Sequence, residues 1–152
     1  MRYIRLTKKG DIYSLLTEFL DIFPRLTDKI SNIDEYAEKL RDFANVYVAK
    51  NNSENVGILV FYANDKESKE AYISLIGVKR GNTRNGIGKE LLGCCNEISR
   101  KCGMSKIKLE VDQDNMNAIK FYKKNGFSFV SRSERNSFYM QREISGEEND
   151  RD

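Results

Sequence analysis

The sequence predicts an α/β (α+β) single domain: one mixed central sheet of about six to seven strands flanked by about four helices. Three observations predict it. Two strand-like runs, "VYVA" at 46–49 and "VGILVFYA" at 56–63, flank the turn-rich "KNNSEN", which is a hairpin pattern. Residues 71–111 then read strand, loop, helix, strand, the pattern of a parallel pair joined by a crossover helix. A second hairpin pattern, "FSFVS" and "SFYMQREI" around "RSERN", ends the folded part. Antiparallel pairing at both ends with one crossover between them predicts a mixed sheet rather than a doubly wound one.

Each element has its own signal. "RYIRL" at 2–6 reads as a short strand. Asp11 is placed to cap a helix, whose apolar positions Ile12, Leu15, Leu16, Phe19, Leu20 and Phe23 form an amphipathic stripe ending at Pro24, the only proline. Residues 25–33 read as an irregular connection, and Asp34 opens a second helix through Ala37, Leu40, Phe43 and Ala44. "NDKESKE" at 64–70 is a polar turn before the strand "AYISLIGV" at 71–78. Gly77 inside that strand marks a bulge or a close backbone approach. A helix over 87–102 carries Ile87, Leu91, Cys95, Ile98 and Cys102 on one face and stops at Gly103. "KIKLEV" at 106–111 alternates, and Asn115 caps a last helix to about residue 124, ended by Asn125-Gly126. The organisation expected is one domain over 1–144 and a disordered acidic tail, "SGEENDRD", over 145–152.

Composition narrows the chemistry. The 152 residues suffice for one domain with a real core. A formal charge of +3 is too small to argue for nucleic acid. No apolar run reaches the roughly 18 residues of a membrane span, and "MRYIRLTKKGD" has no apolar signal core. The three cysteines fall in one helix, where they read as buried apolar residues, and a cytoplasmic location is the expectation. There is no histidine, which excludes a Ser-His-Asp triad, a Cys-His dyad and any His-bearing zinc site; an all-cysteine zinc site would need a fourth thiolate. No metal is expected.

The loop "KRGNTRNGIGK" at 79–89 is the most informative stretch. Gly86 and Gly88 stand where loop becomes helix, so nothing bulky screens the first helical N–H groups, and the helix dipole favours an anion there. Lys79, Arg80, Arg84 and Lys89 surround it with positive charge. A phosphate-bearing ligand follows. A P-loop fails, because Ile87 stands where lysine is required; a dinucleotide fingerprint fails, because Leu91 stands at its third glycine. A third possibility is the pyrophosphate loop of acyl-CoA-dependent acyltransferases.

Here the chain resembles the GNAT superfamily of acyl-CoA N-acyltransferases. "TRNGIG" is similar to the family's [QR]xxGx[GA] loop, with Thr83 where Gln or Arg is usual and Arg84 one residue on. "NMNAIKFYKKNGF" at 115–127 is similar to its NxxAxxxYxxxGF element: Asn115, Ala118, Tyr122, Gly126 and Phe127 all fit, one strand after the loop. The resemblance implies the GNAT fold and direct acetyl transfer from acetyl-CoA to an amine in one ternary complex. It implies a coenzyme A site built from Ile76, Val78, Thr83, Arg84, Asn85, Gly86, Ile87, Gly88, Lys89, Asn115 and Tyr122.

The transfer has three needs. An alkyl amine has a reference pKa near ~10.4, so only about one in 2,500 is neutral at pH 7 and a base must take a proton. The thioester oxygen gains negative charge, for which the backbone N–H near Val78 is the donor. The departing thiolate needs a proton, and Tyr122 stands at the family's acid position. Many relatives place a glutamate on the fourth strand, where this chain has Tyr72 and Ser74. Glu70, Glu110 and Asp112 all stay open as the base. Phe23, Tyr62, Tyr72, Ser74 and Tyr139 are the expected lining for the acceptor, a small-molecule or peptide amine. Neither nucleic acid nor membrane is expected as a partner, and the chain is expected to be a monomer or homodimer. Two other readings stand beside the enzyme: a non-catalytic acyl-CoA sensor of the same fold, and a nucleotide-binding domain using the same anion loop. Tyr122 has a plain alternative as a core ring, and Asn115 as an N-cap.

Overall fold

A computed structural model describes residues 1–23, 26–29, 31–83 and 85–144. Pro24, Arg84 and the acidic tail 145–152, all singled out above, lie outside the described residues. The elements run β1 (Arg2–Leu6), α1 (Lys9–Glu18), α2 (Leu26–Lys29), α3 (Ile33–Phe43), β2 (Asn45–Asn51), β3 (Glu54–Tyr62), β4 (Glu70–Val78), α4 (Ile87–Lys101), β5 (Lys106–Asp112), α5 (Met116–Lys124), β6 (Ser128–Arg132) and β7 (Ser137–Glu143). Among the described residues the strands form one mixed sheet of seven in the order β1-β2-β3-β4-β5-β7-β6. The β1–β2, β2–β3, β5–β7 and β6–β7 pairs are antiparallel, while β4 and β5, joined by α4, are parallel.

The chain forms two compact units. One holds Met1–Tyr62 and Leu75–Cys94; the other holds Ala63–Ser74 and the chain from Cys95 on. In the first, Ile12, Leu15, Leu16 and Phe19 meet Ala37 and Leu40 of α3 and Val46, Val48, Ile58 and Val60 of β2 and β3. Strand β3 is buried on both faces from Val56 to Phe61, which is why it reads as an unbroken apolar run rather than an alternation. In the second unit, β5 alternates: Ile107, Leu109 and Val111 are buried, while Lys108 and Glu110 are half-exposed. Ile119, Tyr122, Phe127 and Met140 are also buried there.

Several element boundaries differ from expectation. Helix α1 begins at Lys9, with Lys8 at the N-cap, so Asp11 sits in its first turn rather than capping it. A carboxylate is favourable there too, because the dipole acts over the whole first turn. The helix ends at Glu18, before Pro24, yet Phe19, Ile22 and Phe23 continue to pack on the core from a turn. The apolar spacing therefore reported burial beyond the helix. The connection expected to be irregular contains the four-residue α2. Asn32, not Asp34, caps α3, its side chain accepting from the Glu35 N–H at 3.1 Å. At Gly77 the structure shows the close-approach alternative: a Cβ would lie 2.8 Å from Phe23 Cζ and 3.1 Å from Ile22 Cγ2.

Candidate active site

The loop after β4 is held at both ends. At its entry the Lys79 N–H donates to the Val56 carbonyl at 2.9 Å. The Lys79 ammonium forms a salt bridge with Glu18 and lies 5.2 Å over the Phe19 ring. Burial alone would raise the Glu18 carboxyl, but hydrogen bonds from Lys79 and Asn55 and the charges of Lys79 and Lys50 outweigh it, leaving it below the usual carboxylate range. The loop then turns through Asn82 N–H to Lys79 C=O at 3.1 Å and Asn85 N–H to Asn82 C=O at 3.3 Å. At its exit Gly86 has φ +74, a left-handed conformation that costs glycine little and a β-branched residue much. Helix α4 starts at the next residue, and Glu90 N–H to Gly86 C=O at 3.1 Å opens its ladder. Glu90 in turn accepts a hydrogen bond from the Tyr3 hydroxyl of β1.

The N–H groups of Ile87, Gly88 and Lys89 precede that ladder and have no acceptor within their own helix. Thr83, Asn85, Gly86 and Lys89 are exposed, Gly88 is half-buried, and Ile87 is buried against the sheet. Gly57 of β3 makes that seat: a Cβ there would stand 3.2 Å from Ile87 Cγ2, Leu91 Cδ1 and Ala49 Cβ alike. A methyl group on Gly86, by contrast, would meet no atom within 4 Å. Of the expected basic cluster, Lys79 is committed to Glu18, Arg80 and Lys89 are exposed, and Arg84 lies outside the described residues.

Strand β4 carries Ile76 and Val78, the two backbone positions expected to face the acyl donor. Successive N–H groups of a strand point to opposite edges. Because the Lys79 N–H points to Val56 of β3, the Val78 N–H points to the other edge of β4, and Ile76 shares that direction. The β5 ladder occupies this edge over Glu70–Ile73, paired with Lys106–Leu109. Ile76, Val78, Tyr72 and Ser74 are half-buried and share one face of the strand. Glu70 lies eight residues from Val78 along the same strand, about 26 Å at a strand's rise.

In the second unit, α5 carries the other motif. Asn115 is the N-cap, accepting from the Ala118 N–H at 3.1 Å, so the capping role is filled. Tyr122 is 9% exposed and tilted against Phe127 at 5.7 Å between ring centroids. Burial pushes its phenol up to about 12. Glu110, the first β5 residue past the β4 ladder, accepts a hydrogen bond from the buried Ser137 hydroxyl. Ser133 meets Ser137 at 2.5 Å. Asp112 accepts from the Asp114 N–H at 2.9 Å and so shapes the turn into α5.

The acceptor lining named from the sequence is divided between the two units. Phe23 and Tyr62 are half-buried on the core of the first unit, and burial with the neighbouring Tyr36 pushes Tyr62 up to about 12. Tyr139 is half-buried in the second, with Lys108 Nζ 4.6 Å over its ring. Three residues at the loop escaped sequence reasoning: Glu18, Gly57 and Tyr3. Gly57 had a signal, a glycine inside a strand. Glu18 and Tyr3 had none, since their partners are 61 and 87 residues away.

Comparison with known proteins places this arrangement. No curated protein matches the sequence significantly. Among solved structures, the chain is similar to the IAA acetyltransferase from Bacillus cereus ATCC 14579, at 22% identity and TM-score 0.72 over 94% of this chain and 99% of that one. It is similar to the PaiA N-acetyltransferase from Thermoplasma acidophilum in complex with coenzyme A, at 20% identity and TM-score 0.72 over 94% and 99%. A GNAT family acetyltransferase from Elizabethkingia anophelis with acetyl-CoA bound matches at 20% identity and TM-score 0.62 over 72% and 82%. These likenesses concern the fold. The family model for acetyltransferases (GNAT) matches residues 11–127, more than half of the sequence, and the chain belongs to that family of acyl-CoA-dependent N-acyltransferases.

Proposed function

We propose that this protein transfers an acetyl group from acetyl-CoA to a primary amine by direct transfer in a ternary complex. The residues present fit the donor. The α4 start offers N–H groups of Ile87, Gly88 and Lys89, and Gly86 leaves open space where a side chain would stand. The family's solved members named above, one with coenzyme A and one with acetyl-CoA, support the same choice. Thr83, Asn85 and the loop N–H groups would hold the diphosphate, with Arg84 beside them in sequence. Ile76 and Asn115 would hold the pantetheine arm.

The donor supplies a thioester carbonyl; the chain's own groups do the rest. The Val78 N–H donates to the oxygen that gains charge. The Tyr122 hydroxyl, protonated throughout the neutral range, gives its proton to the departing sulfur. Glu110 takes the amine proton, directly or through one water. It is favoured over Glu70, which is too far along β4, and over Asp112, whose carboxylate shapes the α5 turn. Phe23, Tyr62, Tyr72, Ser74 and Tyr139 remain the proposed acceptor lining.

The observation that carries the reading is the edge of β4: with Lys79 turned to β3, Val78 presents its N–H on the opposite edge, five residues past the last pair with β5. The test is thiol release from acetyl-CoA across a library of primary amines. Release with at least one amine is expected, and Glu110→Gln lowers its kcat about 100-fold. Coenzyme A binding without release for any amine would return the chain to the sensor reading.

A further inference from the structure

Lys79 is the first residue of the donor loop and one of four cations around it, yet the structure does not present it to that loop. Its ammonium is bonded to Glu18, at the end of α1, and caps the Phe19 ring. Glu18 receives a second hydrogen bond from Asn55 Nδ2 at 2.8 Å, at the start of β3. The same stretch of chain, one turn on, places Ile22 and Phe23 against Gly77, two residues before Lys79. The end of α1 therefore grips the exit of β4 twice: by charge at Lys79 and by contact at Gly77.

We propose that Glu18 is a positioning residue for the donor loop, acting through Lys79, and that this strut couples the loop to the turn bearing Ile22 and Phe23. The proposal rests on the reading of the loop as the coenzyme A diphosphate site. Lys79 is then a structural cation and not a phosphate ligand. A loop fixed before the ligand arrives loses less freedom on binding, so each half of the strut contributes to affinity without touching the ligand. Ile22 and Phe23 donate their N–H groups to Phe19 and Leu20 at 3.0 and 3.2 Å, so their exchange with solvent reports whether the turn is held.

Coenzyme A itself is the probe, in titration calorimetry and hydrogen exchange. Glu18→Gln and Lys79→Met each weaken binding about fivefold, and the double variant is also about fivefold weaker rather than ~25-fold, because both remove one strut. In the wild type, coenzyme A slows exchange at Ile22 and Phe23; in either variant it does not. A purely structural role elsewhere would not move that ligand-dependent protection. Tighter binding by Glu18→Gln, with Lys79→Met weakening binding in both backgrounds, would identify Lys79 as a phosphate ligand held back by Glu18 and overturn the proposal. So would unchanged protection at Ile22 and Phe23 in both variants. A wild type that binds no coenzyme A would instead remove the donor reading on which the strut depends.

Discussion

Tyr122 is a core ring that the proposed reaction also uses as its acid. It packs on Phe127 and Phe121 and is nearly sealed from water. Burial disfavours the phenolate and moves the phenol to about 12. Such a group is a weak acid that holds its proton over the whole working range, as the proposed transfer to the departing sulfur requires. The same shift makes a stability statement. The folded state keeps a proton that the unfolded chain loses near pH 10, so Tyr122 favours folding fully below pH 10 and progressively less as pH rises through about 12. The difference is roughly 3 kcal/mol for a shift of this size. Tyr122→Phe lacks it. Melting temperatures of wild type and variant converge or cross between pH 10 and 12, and a constant gap would refute the burial argument. At pH 7 the variant loses about 100-fold in kcat with little change in coenzyme A affinity; full turnover would leave Tyr122 as a core ring alone.

At the scale of elements, the start of α4 is where the fold sets the proposed donor site. Ile87 and Leu91 rest on β3 only because Gly57 has no side chain, with three carbon atoms 3.2 Å from where a Cβ would stand. Gly57→Ala forces the first turn of α4 outward and costs about 1–3 kcal/mol as overpacking. Coenzyme A affinity is expected to fall with it, because the displaced turn carries the N–H groups proposed to hold the diphosphate. A variant that melts lower yet binds coenzyme A normally would show that the site does not depend on this seat. The helix itself was legible from its apolar spacing and its Gly103 stop, as were every strand and both hairpins. Helix starts were less so: Asn32 and Asp34 are close competitors that local propensity does not rank, while at α1 propensity favours Asp11 and the helix nevertheless starts after Lys8, which makes no side-chain cap. The four residues of α2 are too few for any periodicity. The insertion of β7 between β5 and β6 was invisible too, because hairpin patterns name neighbours and not which strand faces the rest of the sheet.

For the whole molecule, the proposed donor site is legible because its parts are local. Residues 83–88 and 115–127 are contiguous motifs, and a glycine at φ +74 announces itself in sequence. What was illegible is long-range: in sequence Lys79 is one more positive charge around the loop, and nothing local shows that Glu18, 61 residues away, holds it. The two motifs also fall in different compact units, Gly86 in the first and Tyr122 in the second, which permits a separation by ligand-induced stabilisation. Coenzyme A at 100 times its dissociation constant stabilises the native state by about 2.7 kcal/mol. For a chain of this size that raises the melting temperature by roughly 5–10 °C. Gly86→Val removes the shift, since its branched side chain fills the approach to the helix start. It also lowers the ligand-free melting temperature by a few degrees, roughly what 1–3 kcal/mol of backbone strain at a positive φ implies. Tyr122→Phe keeps the shift, because a proton donor to the leaving sulfur adds little to the binding of coenzyme A. ATP and NAD shift neither protein appreciably, and an ATP shift equal to that of coenzyme A would replace the acyl donor with a nucleotide. The pattern of one variant losing the ligand response and the other only turnover separates holding the donor from using it, and both variants responding alike would mean that the two motifs do not divide the work in this way.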